Sequence, residues 1–301
     1  MRSISRKNAA HMFLTLVSLV RLMRPRQWIK NVFVLAAPVY GGQLFVEESA
    51  ARTLLAVALF CGISGGIYIL NDVNDVEQDR QHPVKRTRPL ASGEVSPWLA
   101  APVGIAVLAG SLWGSYLLSF GMFVVGLSYL VINIVYTAWW KHVVVLDILC
   151  VASGFVLRVV AGALAVDVVI RPWILACTLF LALLISLGKR RSEAILLGSN
   201  AGNHRRILGD YPLPFLDVLI IIVAAMTMMA YSLFTFESGR PMHLMMTIPF
   251  VLYGVFRYLY LIFVRNVTES PEVLFLRDKP LLLTATLWGV LSAFLFYYTH
   301  G

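Results

Sequence analysis

Nine stretches of this chain are each long and apolar enough to cross a lipid bilayer, and no other feature constrains its fold as strongly. A membrane-spanning helix needs about 20 mostly apolar residues. Such runs lie at residues 29–45, 53–70, 99–118, 122–139, 143–166, 172–187, 215–236, 242–263 and 280–299. The first is the weakest, because Pro38 and the pair Gly41-Gly42 interrupt it. Of 301 residues, 59% are hydrophobic and 14% charged. An ordinary soluble domain carries about 25% charged residues, so this much apolar surface needs lipid to accept it. A soluble globular enzyme, a disordered chain and a disulfide scaffold are thereby excluded. Cys61, Cys150 and Cys177 lie in apolar runs at no metal-ligand spacing and read as small helix-facing or lipid-facing residues. The fold class expected is all-α: a polytopic membrane protein of nine transmembrane helices, with residues 1–301 as a single integral membrane domain.

Charge fixes an orientation. Arg2, Arg6 and Lys7 precede a short apolar run at 12–20, and Arg21, Arg24 and Arg26 follow it with no small-residue cleavage site between. That pattern reads as a retained interfacial helix within residues 1–28 rather than a signal peptide. With the N-terminus inside, the segments 1–30, 72–98, 140–142, 189–212 and 264–279 hold 20 of the 25 Lys and Arg residues, whereas the outer segments hold only Arg52, Arg171 and Arg240. This bias places the N-terminus in the cytoplasm and the C-terminus outside a plasma membrane. The net charge of +9 is then a matter of topology and implies no nucleic-acid partner. Outer loops are short, whereas 72–98, 189–212 and 264–279 are long and polar, so chemistry is expected on the cytoplasmic face.

The densest polar motif is Asn71-Asp72-Val73-Asn74-Asp75-Val76-Glu77-Gln78-Asp79, at the inner end of the second run. At about 100° per residue, Asn71, Asp75, Asp79 and Asp72 fall within one stripe of roughly 100°, and Glu77 falls on the other side. Three carboxylates on one stripe repel one another unless a hard cation lies among them. Mg²⁺ takes oxygen ligands and prefers substrate phosphates as the remainder, so Asn71, Asp72, Asp75 and Asp79 are the candidate metal ligands. Lys85, Arg86 and Arg88 follow within about ten residues. Acidic stripe and cations together suit a polyphosphate, with Lys85 and Arg88 as candidate phosphate contacts.

Asn-Asp-x-x-Asp-x-x-x-Asp followed by His82-Pro83-x-Lys85-Arg86-x-Arg88-Pro89-Leu90-Ala91-x-Gly93 resembles the UbiA superfamily of intramembrane prenyltransferases, and the nine-run layout extends the resemblance over nearly the whole chain. The resemblance implies nine helices around a central cavity open sideways to lipid. It also implies a diphosphate bound through Mg²⁺ by two acidic motifs, the second after the sixth span. In many members that second motif is a pair of aspartates four apart. Here the two positions read Lys189 and Glu193, with Arg190 and Arg191 between them. A site that offers cations in place of one carboxylate suits additional phosphate oxygens.

Further segments, Arg24-Pro25-x-Gln27-Trp28-x-Lys30-Asn31, Lys141-His142-x-x-x-x-Asp147, Ser186-x-Gly188-Lys189-Arg190 and Glu269-Ser270-Pro271-Glu272 with Arg277-Asp278, are similar to the branch of that superfamily that transfers 5-phosphoribose. The branch implies phosphoribosyl pyrophosphate as donor and a polyprenyl (decaprenyl) phosphate as acceptor, with pyrophosphate released and the product feeding arabinose donors for the cell wall. Within this reading Asp72, Asp75, Asp79 and Lys189 carry the catalytic roles. Lys85, Lys189 and Arg190 are candidates for the donor's phosphates, and Lys30, Lys141 and Arg158 for the acceptor phosphate. Asn31, Arg88, Tyr136, Asp147, Glu193 and Arg257 complete the substrate-binding set. Arg158 and Arg257 fall inside apolar runs, where a charge needs a wet cavity or a partner. The alternative is an aromatic or haem prenyltransferase of the same superfamily, using a polyprenyl diphosphate. A secondary transporter would call for inverted repeats, and none is evident. Oligomeric state stays open, a homo-oligomer included.

Overall fold

In lipid the backbone must satisfy its own hydrogen bonds, which leaves helices as the natural element for runs this apolar. The computed structural model describes residues 14–44, 46–81, 85–197, 209–237, 241–267 and 271–298, and all its regular elements there are helical. Seven helices are long and apolar enough to cross a membrane: α1 (Glu47–Asn74), α2 (Pro97–Leu118), α3 (Phe120–Ala138), α4 (Leu146–Ala165), α5 (Pro172–Leu197), α6 (Leu213–Glu237) and α7 (Ile248–Phe263), the last with the 3₁₀ turn Met245–Thr247 before it. An eighth, α8 (Lys279–Tyr298), has a shorter apolar stretch.

The first expected span needs correction. Pro25–Leu35 winds as 3₁₀ turns and Ala36–Tyr40 as one short α-helix. Pro38 removes a backbone donor inside that helix, and Gly42, at φ 73°, takes a left-handed turn that ends it. Residues 14–22 are helical, as expected of the N-terminal segment. Its first residues, with Arg2, Arg6 and Lys7, lie outside the described residues. So do Phe45, His82-Pro83, residues 198–208 with two basic residues of the third inner segment, Arg240, Glu269 and Thr299.

The chain forms two compact units. The first comprises Met1–Ala36, Leu44–Val131 and Val160–Asp167. In it α1 packs along α2. Lipid is as apolar as leucine, so such pairs depend on close approach and dispersion rather than on a hydrophobic drive. A Cβ on Gly66 would lie 3.0 Å from the Gly104 carbonyl and 2.9 Å from Leu108, and only glycine permits that proximity. Gly162 on α4 is tighter still, because a Cβ there would overlap the Val34 carbonyl of the 3₁₀ segment. Ser96 caps α2 by accepting from Trp98 N–H at 3.3 Å, with Pro97 at the first helical position, a pairing that satisfies otherwise orphaned donors. Arg52 donates to the carbonyls of Ala165 (2.8 Å) and Leu118 (3.2 Å), closing the C-terminal ends of α4 and α2. Leu54, Trp113, Leu117 and Phe120 are strongly exposed, as lipid-facing side chains are.

The second unit comprises Ala37–Gln43, Ile132–Val159 and Val168–Gly301. There α5 packs on α6, and α7 on α8, around Ile148, Ala152, Leu184, Leu187, Leu216, Ile220 and Tyr258. The sequence ends the sixth apolar run at Leu187, yet α5 continues to Leu197. The nine residues 189–197 expected in a loop are thus helical.

Candidate active site

Within the first unit, the acidic motif straddles a bend. α1 ends at Asn74, Asp75 leaves helical geometry at φ −96°, ψ 7°, and Val76–Gln81 forms one more turn and a half. The i to i−4 backbone bonds Asp75 N–H to Asn71 and Asp79 N–H to Asp75 survive, each at 2.9 Å. Asp72 and Asp79 therefore stay in register, and both side chains are only 4% exposed. They are not bare. Arg88 Nη1 donates to Asp72 Oδ1 (3.0 Å) and to Asp79 Oδ2 (2.6 Å). Arg24 Nη2 donates to Asp72 Oδ1 at 2.5 Å, and Lys85 Nζ lies 3.6 Å from Asp79 Oδ1. The mutual repulsion expected of the stripe is relieved by protein cations, which lets the two carboxylates be buried.

No spacing in the sequence ties Arg24 to the acidic motif. It sits in the left-handed region at φ 53°, ψ 65°, directly before Pro25, where a non-glycine residue costs about 1–3 kcal/mol. Its guanidinium also lies 4.9 Å from the Tyr68 ring centroid. Asp75 remains half-buried and, among the described residues, its side chain accepts only from the neighbouring Asn74 amide at 3.1 Å. Asn71 is also half-buried. Asn31 is fully buried, its amide donating to Cys61 Sγ (3.0 Å) and to Ser64 Oγ (3.5 Å), so it fastens the 3₁₀ segment to α1. Lys30 is half-buried on the same segment.

The second unit brings Asp147, Arg190 and Glu193 together. Asp147 has no exposure at all. Its Oδ2 accepts from Arg190 Nε at 2.9 Å, and Arg190 Nη1 donates to Glu193 Oε2 at 2.8 Å. Asp147 Oδ1 accepts from the Tyr211 hydroxyl at 2.7 Å, and that hydroxyl accepts from Val145 N–H, also at 2.7 Å. Burial, and then the bond to Asp147, push the Tyr211 phenol well above its usual range, so it stays a donor. Val145 is a β-branched residue at φ 71°, a conformation that such residues rarely take. Tyr136 makes an electrostatic contact with Arg190.

Three consecutive cations on α5 meet three fates. Arg190 is buried against Asp147 and Glu193. Arg191 donates to Asp217 Oδ1 (2.7 Å) and to the Ile262 carbonyl (2.9 Å), tying α5 to the ends of α6 and α7. Lys189 alone is exposed, with no side-chain partner among the described residues. Lys141, on the 3₁₀ turn Trp140–His142, is half-buried and likewise meets no side-chain partner among them.

The two charges inside apolar runs are both accommodated. Arg158 is 3% exposed and donates to the Gly154 carbonyl at 2.6 Å. Arg257 grips Asp278 through Nε (3.2 Å) and Nη2 (2.8 Å). That bond, helped by Leu281 N–H at 2.9 Å, holds the Asp278 carboxyl below the usual carboxylate range against the opposing effect of burial.

Among the described residues, no three Asp, Glu, His or Cys side chains converge as a metal cluster. Mg²⁺ does not require one, because it is usually held by one or two carboxylates and the phosphates of a substrate. The hard oxygen donors of Asn71 and Asp75, beside Asp72 and Asp79, fit that chemistry.

The UbiA prenyltransferase family profile matches residues 32–279, and the chain belongs to this family of integral membrane proteins. Within the family, two relatives carry the same name. Decaprenyl-phosphate phosphoribosyltransferase of Mycolicibacterium smegmatis is 32% identical over 296 residues, spanning 93% of this chain and 92% of that protein. Its namesake in Mycobacterium tuberculosis is 34% identical over 277 residues, spanning 89% and 91%. Of solved structures, the UbiA homolog from Archaeoglobus fulgidus bound to GPP and Mg²⁺ shares the fold, with TM-score 0.70 and 24% identity over 93% of this chain and 97% of that one.

Proposed function

We propose that this chain transfers 5-phosphoribose from phosphoribosyl pyrophosphate to a polyprenyl phosphate such as decaprenyl phosphate, with Mg²⁺, making a precursor of arabinose donors for the cell wall. The observation that carries this reading is the second motif. Where a prenyl-diphosphate site would present paired aspartates, this chain presents Lys189 exposed on α5, and its neighbour Arg190 is already neutralised by Asp147 and Glu193. The two relatives of the same name, matched over most of both chains, support it.

The chemistry asks for positioning more than for proton transfer. An oxygen of the acceptor phosphate attacks the anomeric carbon as the bond from that carbon to pyrophosphate breaks, and the ring passes through oxocarbenium character. A phosphate monoester is ionised near neutral pH, so no general base is needed. Asp75 and Asn71, the donors of the stripe least engaged by protein cations, would hold Mg²⁺ beside Asp72 and Asp79. The bound metal supplies charge neutralisation for the leaving pyrophosphate. Lys189 and Lys85 hold donor phosphates, and Lys141, Lys30 and Arg158 orient the acceptor. The active face is cytoplasmic and the N-terminus inside, following the placement of basic residues.

The test is direct. Purified protein incubated with ribose-labelled phosphoribosyl pyrophosphate, decaprenyl phosphate and Mg²⁺ should move label into the organic phase and release one pyrophosphate per lipid labelled. No lipid-borne ribose under those conditions refutes the proposal. A membrane-impermeant thiol label on a cysteine introduced at Glu77 should react only from the cytoplasmic side. Reaction only from outside reverses the orientation.

A further inference from the structure

We infer that Tyr211, a residue no motif singles out, is a positioning residue for phosphate binding: bridging Val145 and Asp147, it locks the loop that carries Lys141 onto the helix end that carries Lys189. The inference rests on the reading of Lys141 and Lys189 as phosphate-binding cations.

A phenol oxygen has one hydrogen to donate and lone pairs to accept with. At Tyr211 the hydrogen goes to Asp147 Oδ1 and a lone pair receives Val145 N–H, both at 2.7 Å. The residue itself is 2% exposed. Asp147 passes the constraint on through its other oxygen to Arg190 Nε at 2.9 Å. Lys189 directly precedes Arg190, and Lys141 stands four residues before Val145. The chain of contacts therefore joins the backbone near the Lys141 ammonium to the side chain beside Lys189, neither of which meets a side-chain partner among the described residues.

Strain gives the device its purpose. Val145 at φ 71° takes a conformation that a β-branched residue leaves unless something holds it, and the Tyr211 hydroxyl holds its N–H. Phenylalanine at 211 preserves the ring and its contact with Phe215 (ring centroids 6.3 Å apart) but frees Val145 to relax. The loop bearing Lys141 then loses its register on α5, and the acceptor phosphate loses the ammonium that orients it. Glycine at 145 accepts φ > 0 without strain, so it should hold the loop without help from residue 211.

The experiment compares wild type, Tyr211→Phe, Val145→Gly and the double variant, each as full-length protein eluting as folded from gel filtration. Tyr211→Phe should raise the KM for decaprenyl phosphate about tenfold, the size of one lost charge-assisted contact, with kcat and the KM for phosphoribosyl pyrophosphate within about twofold. Val145→Gly alone should behave as wild type, and the double variant should recover most of the lost affinity. A readout independent of transfer is the protection of Lys141 by a short-chain polyprenyl phosphate against an amine-acylating reagent, followed by mass spectrometry. Tyr211→Phe should need about ten times more of that phosphate for equal protection. If wild type transfers no phosphoribose, the proposed function fails and the protection arm alone decides the role of Tyr211. Unchanged KM and protection in Tyr211→Phe overturn the inference. So does a loss that Val145→Gly does not restore, because a purely structural defect of the packed ring would persist in the double variant.

Discussion

Replacing Lys189 by alanine removes an ammonium that is exposed and meets no side chain among the described residues. Folding should barely register the change, because exposed substitutions away from caps and networks stay within about 0.5 kcal/mol. Binding should register it strongly if the ammonium meets a donor phosphate. A charge-assisted contact to an anion is worth about 1.5–3 kcal/mol, which is roughly ten- to hundredfold in donor affinity. Lys189→Asp should be worse, since it restores a carboxylate where phosphate is to be held. The neighbouring Arg190 is the internal control. Its removal strands Asp147, which has no exposure, and Glu193 without their cation, a loss on the order of 3–5 kcal/mol for a buried pair. Arg190→Ala should therefore fail in yield and thermal stability, whereas Lys189→Ala fails in donor use with its stability intact. Initial rates against phosphoribosyl pyrophosphate, with melting curves on the same preparations, separate the two. Wild-type donor kinetics in Lys189→Asp would refute the reasoning and hand donor binding to the first acidic motif alone.

Other outcomes follow from the same structure. Asp75→Ala should abolish transfer while the protein inserts and elutes normally, because among the described residues the Asp75 side chain accepts only from Asn74 and supports no buried pair; near-normal turnover would remove it from the metal site. Chelation by EDTA should stop transfer and added Mg²⁺ restore it, and activity unaffected by the chelator would remove the metal. Gly162→Ala should lower stability by about 1–3 kcal/mol, as overpacking does, because its methyl meets the Val34 carbonyl; an unchanged melting temperature would mean the 3₁₀ segment yields freely.

Eight of the nine apolar runs correspond to helices, because a run of nonpolar side chains in lipid has few alternatives to a helix. The first run does not form one long helix. Its apolar composition matches the others, but Pro38 and the glycine pair decide its backbone. The inner end of α5 misleads in the opposite sense. Charge at 189–191 reads as the start of a loop, yet Asp147, Glu193 and Asp217 accept Arg190 and Arg191, so the helix runs on to Leu197. Of the acidic stripe, the Asp72 and Asp79 pair is legible from its spacing, whereas the break in the helix at Asp75 is not. The cations that neutralise that pair are only partly legible: Lys85 and Arg88 stand close in sequence, whereas Arg24 reaches Asp72 across 48 residues. Arg257 and Asp278 are likewise an intramembrane charge and its partner 21 residues apart. Tyr211 leaves no sequence signal, because a tyrosine between two helices resembles any interfacial aromatic until its hydroxyl is seen to bridge Val145 and Asp147.

The central claim is that a cationic second motif makes this a phosphoribose donor site within a family named for prenyl transfer. Donor competition in one vessel tests it most directly. Purified protein, Mg²⁺ and decaprenyl phosphate are mixed with ribose-labelled phosphoribosyl pyrophosphate and a differently labelled prenyl diphosphate, together with a quinone-precursor aromatic acid as a prenyl acceptor. The account predicts ribose label on the lipid phosphate, no prenylated aromatic product, and loss of the ribose transfer in Lys189→Asp. Prenyl label on the aromatic acceptor, with no ribose on lipid, would contradict it.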